Sequence, residues 1–150
     1  MEKKGEQIAL GSDHAGYQLK ESIKQMLLQK GYTVKDYGTF SEESTDYPDY
    51  VHPLAEAIEQ GVHQQGIIMC GSANGVNMTA NKHQGIRSAI CWNEELAQLA
   101  RQHNDANVLA LPARFLPRET ALKIAETFLN TSFEGGRHLR RVEKIPCSHS

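Results

Sequence analysis

Cys70 closes an apolar run, Ile67 to Met69, and a small-residue loop follows, Gly71-Ser72-Ala73-Asn74-Gly75. The run reads as a buried parallel strand, the loop as a tight turn, and Val76 onward as helix. Such a turn presents backbone N–H groups at the positive end of a helix dipole, which suits an anion. A thiol on such a rim loses its proton more readily than free cysteine, whose pKa is about 8.5. The loop therefore offers a base or nucleophile beside an oxyanion hole. The plainer alternative is a buried strand-end cysteine next to an ordinary turn. Asp13-His14, after the first apolar run, reads as an acid/base pair or as helix-capping residues. His103 falls on an apolar helix stripe near its end, where it is either an acid/base or a satisfied core histidine. Asn104 beside it binds a ligand or caps the helix. Arg137, Arg140 and Arg141 share one helix face and, with Arg114, suit a phosphate clamp or a solvated basic face. Tyr47, in Thr45-Asp46-Tyr47-Pro48, touches a ligand or packs; Trp92 and Phe115 read as core.

Several chemistries are disfavoured. Tyr17 follows Gly16, so the first glycine loop lacks the Lys-Ser/Thr of a P-loop, and the 71–75 loop does not match G-x-G-x-x-G. Val76 stands where a cysteine-based phosphatase needs its arginine. Cys70, Cys91 and Cys147 are odd in number and widely spaced, with no metal-ligand spacing, so no metal site is expected and a reducing compartment is. A net charge of −2 gives no global attraction to nucleic acid or anionic membrane. The polar N-terminus and the short run Ile8 to Leu10 fit neither a signal peptide nor a span, so a cytoplasmic protein is expected.

The elements that must position these residues alternate. A length of 150 residues predicts one domain, 1–150. Strands are predicted at Ile8–Leu10, Thr33–Tyr37, Ile67–Met69, Ile86–Trp92 and Val108–Leu111. Between them fall amphipathic helices: one from Tyr17 stopped by Gly31, one marked by Leu54, Ile58 and Val62, and one over Asn74–Lys82. The next is capped by Asn93, with Leu96, Leu99, Ala100 and His103 on one face. Glu119–Leu129 follows, then a Gly135-Gly136 hinge and a short basic helix, His138–Ile145. This pattern predicts a doubly wound, Rossmann-like three-layer α/β/α sandwich around a five-stranded parallel sheet. Ligands in such folds sit beyond the carboxyl ends of the strands, where Asp13-His14, Cys70 to Gly75 and Arg114 fall. The lead before the first strand and residues 146–150 are assigned no role.

Taken together, Asp13-His14-Ala15-Gly16, Thr45-Asp46-Tyr47-Pro48, Cys70-Gly71-Ser72, Ala80-Asn81-Lys82, Gly85-Ile86-Arg87, Arg101 to Leu109 and Glu134-Gly135-Gly136-Arg137-His138 resemble the ribose-5-phosphate isomerase B family. The likeness runs in order over nearly the whole chain. The wider family includes galactose-6-phosphate and allose-6-phosphate isomerases. The resemblance implies interconversion of ribose 5-phosphate and ribulose 5-phosphate in the pentose phosphate pathway. It implies Cys70 as the base moving a proton between C1 and C2, and His103 as the group handling the ring-oxygen proton. It implies substrate contacts from Asp13, His14, Asn104, Arg114, Arg137 and Arg141, the last two nearest the phosphate. The amides of Gly71, Ser72, Ala73, Asn74 and Gly75 would hold the enediolate oxygens. It also implies a homodimer or homotetramer, with the site shared between subunits and the last helix reaching over its neighbour. No cofactor is implied. Ala73 stands where glycine is common in the family, and some members use a glutamate near this loop as the base.

That chemistry is physically coherent. An aldose–ketose shift needs an open-chain carbonyl, a base over the C2 proton and donors for the developing oxyanion. One preorganised donor is worth about 10²–10³ in rate, and a general base about 10²–10⁴. The rival readings are an isomerase of a six-carbon sugar phosphate and a non-catalytic phosphosugar-binding module.

Overall fold

The computed structural model describes residues 6–147. Residues 1–5 and 148–150, parts of the lead and the tail, lie outside the described residues. The strands β1 (Gln7–Ser12), β2 (Thr33–Asp36), β3 (Gly66–Cys70), β4 (Ser88–Ile90) and β5 (Val108–Pro112) all pair in parallel, in the order β2-β1-β3-β5-β4. The helices are α1 (Tyr17–Gln29), α2 (Pro48–Glu59), α3 (Asn74–Ala80), α4 (Glu94–Asn104), α5 (Arg118–Asn130) and α6 (Arg137–Glu143). The chain leaves β1 toward one sheet edge and then crosses to β3 on the other side of β1. This reversal opens a crevice at the carboxyl ends of β1 and β3.

Strand alternation assigns the two faces of the sheet. Ile8, Leu10, Ile67, Met69, Leu109 and Leu111 pack under α1, α4 and α5. Ala9, Ile68, Cys70, Val108 and Ala110 pack under α2 and α3. Both faces are covered, so the central strands carry the continuous apolar runs seen in the sequence. Each fully buried Ile or Leu contributes roughly 1.5–3 kcal/mol. The second face holds many alanines, among them Ala9, Ala55, Ala73, Ala80 and Ala110, which keeps α2 and α3 close to the sheet.

One buried charge ties α1 to β2. Lys20 is fully buried; its Nζ lies 2.7 Å from Asp36 Oδ2 and 2.9 Å from Glu21 Oε2. Burial pushes the Asp36 carboxyl up, but the hydrogen bonds from Lys20 and the Gly38 amide, with the Lys20 charge, outweigh it and hold the group below its ordinary value.

Several sequence expectations are corrected. Trp92 and Phe115 are not core; they are 58% and 73% exposed. Trp92 follows the end of the short edge strand β4, and Phe115 sits in the turn after β5, its amide bonded to Pro112 O. Val62 is exposed because α2 stops at Glu59. That helix starts at Pro48, whose missing N–H costs nothing at a first helical position, and it continues through Pro53. The buried stripe of α4 is Ala97, Ala100 and Arg101, with Leu96, Leu99 and His103 only half-buried. Of the tail, Cys147 exchanges two backbone hydrogen bonds with the Gln84 side chain. Among the described residues, no helix is long and apolar enough to cross a membrane.

Candidate active site

Three loops meet at the carboxyl ends of β1, β3 and β5. After β1, Asp13 Oδ1 accepts from the Ala15 and Gly16 amides at 2.9 and 3.1 Å, which closes the turn before α1; Gly16 is the N-cap and no side chain caps the helix, so the helix-capping reading is corrected. Asp13 nevertheless also lines the cleft described below. His14 Nδ1 accepts from the Thr45 amide at 3.1 Å, which leaves the neutral ring's proton on Nε2. Gly16 lets this loop lie against β3. A Cβ at Gly16 would sit 2.5 Å from Met69 O and 2.8 Å from Met69 C. The glycine thus sets the distance between the Asp13-His14 loop and the end of β3.

After β3, the backbone is tied to the next loop. Cys70 O accepts from the Ala113 amide at 2.9 Å, and Gly71 O from the Arg114 amide at 3.0 Å. The Arg114 guanidinium lies over Gly71, where a Cβ would meet its Cδ and nitrogens at 3.2 to 3.4 Å. Ser72 Oγ accepts from the Asn74 amide at 3.2 Å. Ala73 is fully buried and left-handed, with φ 68°, a conformation that is strained for alanine and that begins α3. The first-turn amides of a helix have no intrahelical acceptor, which leaves this turn suited to an oxyanion. Tyr47, which caps α2 in sequence, lays its ring on Gly75; a Cβ there would be 2.5 Å from Tyr47 Cζ.

These residues wall a cleft of ≈ 520 Å³. Asp13, His14 and Tyr47 form one side, Cys70, Gly71, Ser72 and Gly75 the floor, and Arg114 with Phe115 the other side. Cys70 is 5% exposed, and that opening faces the cleft rather than apolar side chains alone. Cys91 is different: burial pushes its thiol up to about 12, and it lines no such cleft. Phe115, misread as core, is a wall of the site. A smaller cleft of ≈ 300 Å³ between the ends of α1 and α5 is bridged by the Lys30–Glu126 ion pair and holds no base or nucleophile cluster.

The remaining predicted residues lie elsewhere in the same chain. His103 and Asn104 end α4, and Arg137 and Arg141 are exposed on α6; none lines the Cys70 cleft. They form a second group. The His103 ring stacks on His138, with centroids 4.3 Å apart and planes at 14°. Arg101 holds this helix end in place. Its guanidinium donates to Thr131 O, Asp105 Oδ1 and Ala106 O at 3.0, 2.9 and 2.6 Å. Arg101 and His138 stand in the family motifs, but the sequence reading gives neither a role of its own. The i, i+4 spacing of Arg101 and Asp105 was the signal for the first.

Comparison with known proteins places the fold in a family. A family model described as Ribose/Galactose Isomerase matches residues 8–145. Ribose-5-phosphate isomerase B of Escherichia coli (strain K12) is 46% identical over 138 residues, 92% of this chain and 93% of the relative. A protein of Pectobacterium atrosepticum named D-erythrulose-4-phosphate isomerase is 45% identical over 139 residues, 92% of this chain and 91% of its own. The crystal structure of ribose-5-phosphate isomerase B from Mycoplasma genitalium with bound ribulose-5-phosphate superposes with a TM-score of 0.90. It is 40% identical and covers 95% of each chain. With one family model matching residues 8–145, and likeness of this order over nearly the full length of each relative, the chain belongs to the ribose/galactose isomerase family.

Proposed function

We propose that this chain is an aldose–ketose isomerase that interconverts D-ribose 5-phosphate and D-ribulose 5-phosphate. The observation that carries the reading is the Cys70 thiol, opening into a cleft between the His14 loop and the Arg114 guanidinium on a fold of this family. In this reading the Cys70 thiolate takes the proton from C2 of the open-chain aldose. The electron pair passes into an enediolate whose oxygens are held by the Gly71 to Gly75 amides. A proton passes from O2 to O1 while the sulfur-borne proton returns to C1, giving the ketose, and no redox partner is consumed. Asp13, His14 and Tyr47 orient the sugar, and Arg114 offsets negative charge. Phosphate contacts away from the reacting carbons supply remote binding energy that orients them.

His103, which handles the ring-oxygen proton, and Asn104, Arg137 and Arg141 reach this cleft from a second copy of the chain. A homodimer with two shared sites is the arrangement that brings both groups together. The three cysteines are free, which supports a cytoplasmic setting.

The test is a coupled isomerase assay over four-, five- and six-carbon sugar phosphates, run in deuterium oxide. The reading predicts the highest kcat/KM on the five-carbon pair, deuterium incorporation at the reacting carbon, and a fall of about 10²–10⁴ in Cys70→Ala. Binding without exchange would instead make the chain a phosphosugar-binding module. A four-carbon preference would follow the Pectobacterium relative, and a six-carbon one the galactose side of the family.

A further inference from the structure

The cluster where α4 meets α6 has a composition that sugar-phosphate binding alone does not account for. His103 ends α4, Glu134 lies in the strap that follows α5, and His138 sits in the first turn of α6. One donor atom of each lies within 4.8 Å of the others. His138 Nε2 is 3.5 Å from Glu134 Oε1, and the two imidazoles stack. From this geometry we infer that His103, Glu134 and His138 bind a divalent first-row transition cation of the zinc type, and that its occupancy removes His103 from sugar-ring opening. The second half of this statement rests on the isomerase reading; the first does not.

The donor set decides the class of ion. Two imidazoles and one carboxylate select zinc, cobalt or nickel over magnesium or calcium, which take oxygen cages. Zinc bonds of about 2.0–2.2 Å place donors of a tetrahedral site roughly 3.4 Å apart. The cluster must therefore contract by up to about 1.4 Å, and one imidazole must turn out of the stack so that both ring planes meet at the ion; the setting allows both. Glu134 is half-exposed, and between it and His138 stand Gly135 and Gly136, both at positive φ with open space around them. The Glu134 amide, bonded to Gln102 O at 3.1 Å, keeps the strap against the end of α4. Among the described residues, the ion pair that Glu134 forms is with His138. Arg137, Arg140 and Arg141 oppose a cation; they are exposed, so water weakens that repulsion, while salt screens it only beyond about 8 Å. Three protein donors leave a coordination position open.

The experiment is a titration of the metal-free full chain with Co2+, followed by visible absorption, and with Zn2+, followed by calorimetry. Both are carried out on wild type, Glu134→Gln, His138→Gln and a Cys70→Ser, Cys147→Ser double variant. We expect one ion per chain, with bands of tetrahedral coordination that persist in the thiol-free variant. Affinity should fall at least tenfold in Glu134→Gln and further in His138→Gln. No saturable binding of either ion below the millimolar range, or binding unchanged in His138→Gln, overturns the site. Zn2+ should inhibit turnover of ring-closed ribose 5-phosphate, reversibly with chelator, at a concentration that rises at least tenfold in Glu134→Gln. Saturable binding with full activity overturns the link to ring opening. A wild-type chain inactive on every sugar phosphate would sink the isomerase reading and leave the binding result standing.

Discussion

Replacing Gly16 by alanine tests how the candidate site is spaced. Gly16 has φ −94°, which alanine accepts, so backbone conformation is not the obstacle. The obstacle is contact: the new Cβ falls 2.5 Å from Met69 O, and real Cβ atoms stay beyond 3.0 Å. The atom it meets is backbone of the central strand, which pairs with β1 on one side and β5 on the other. The loop must therefore retreat by at least half an ångström, carrying Asp13 and His14 away from Cys70. Overpacking of this kind costs about 1–3 kcal/mol, and the lower entropy of the unfolded alanine chain returns about 0.4–1. The net loss is about 1–2 kcal/mol, or roughly 2–8 °C in Tm for a chain of this size. A displacement approaching 1 Å at a reacting geometry costs up to about 10² in rate. We expect Gly16→Ala to fold, to unfold at lower urea, and to lose about tenfold to a hundredfold in kcat/KM on ribose 5-phosphate. Wild-type Tm together with kcat/KM within a factor of about two would refute the claim that this contact sets the width of the site.

Four further outcomes are expected. Cys70→Ala and His103→Asn chains should each be inactive alone; mixed, dissociated and reassociated one to one, they should regain about a quarter of wild-type activity, because half the dimers are mixed and each has one intact shared site. Activity that stays absent in a demonstrably mixed dimer would argue against a shared site. Ala73→Gly relieves about 1–2 kcal/mol of left-handed strain but loses about 0.8 of buried methyl and about 0.4–1 to unfolded-chain entropy, so its urea midpoint should stay near wild type. Asp36 has a lowered native pKa, so its stabilisation is full above the ordinary carboxylate value of 3.8 and is lost as pH falls through the native value below it. Denaturation curves of wild type and Asp36→Asn should therefore converge in that acid range; a constant gap would count against the Lys20–Asp36 tie. Native alkylation at pH 8, read by mass spectrometry, should label exposed Cys147 and spare Cys91, whose buried thiol is pushed up to about 12.

Much of this arrangement was legible in the residues, for identifiable reasons. A strand covered on both faces needs an unbroken apolar run, so Ile67 to Met69 and Val108 to Leu111 are legible as strands, β3 extending one residue further at each end. Loops at strand ends follow from alternation, which placed Asp13, Cys70 and Arg114 near one another before any coordinates. What failed was burial inferred from residue type. Trp92 and Phe115 are large and apolar yet exposed, because one follows the end of an edge strand and the other sits in a turn. Arg101 is the reverse: a charged side chain buried on α4 because three acceptors await its guanidinium. The apolar stripe was consequently drawn through Leu96 and Leu99, one step around the helix from where it lies. Three-dimensional neighbours distant in sequence, such as His103 and His138, left no periodic signal.

The end of α4 also bears on why the candidate site residues fall into two groups within one chain. Arg101, pinned to Thr131 O and Ala106 O, fixes the end of α4 and turns His103 outward beside α6 rather than inward toward the core. Cys70, in contrast, belongs to the opposite face of the sheet, in the cluster beneath α2 and α3. Within one chain the sheet and its strand ends separate the two groups, and no side-chain rotation joins a residue ending α4 to a cleft walled by the β1, β3 and β5 loops. In the proposed reaction, a chain built this way holds Cys70 rigidly, on a central strand, and keeps His103 on a helix end joined to a glycine-hinged strap. Proton transfer at carbon and ring opening are then served by parts of the fold with different stiffness. Assembly of two copies is then the step that makes either half useful.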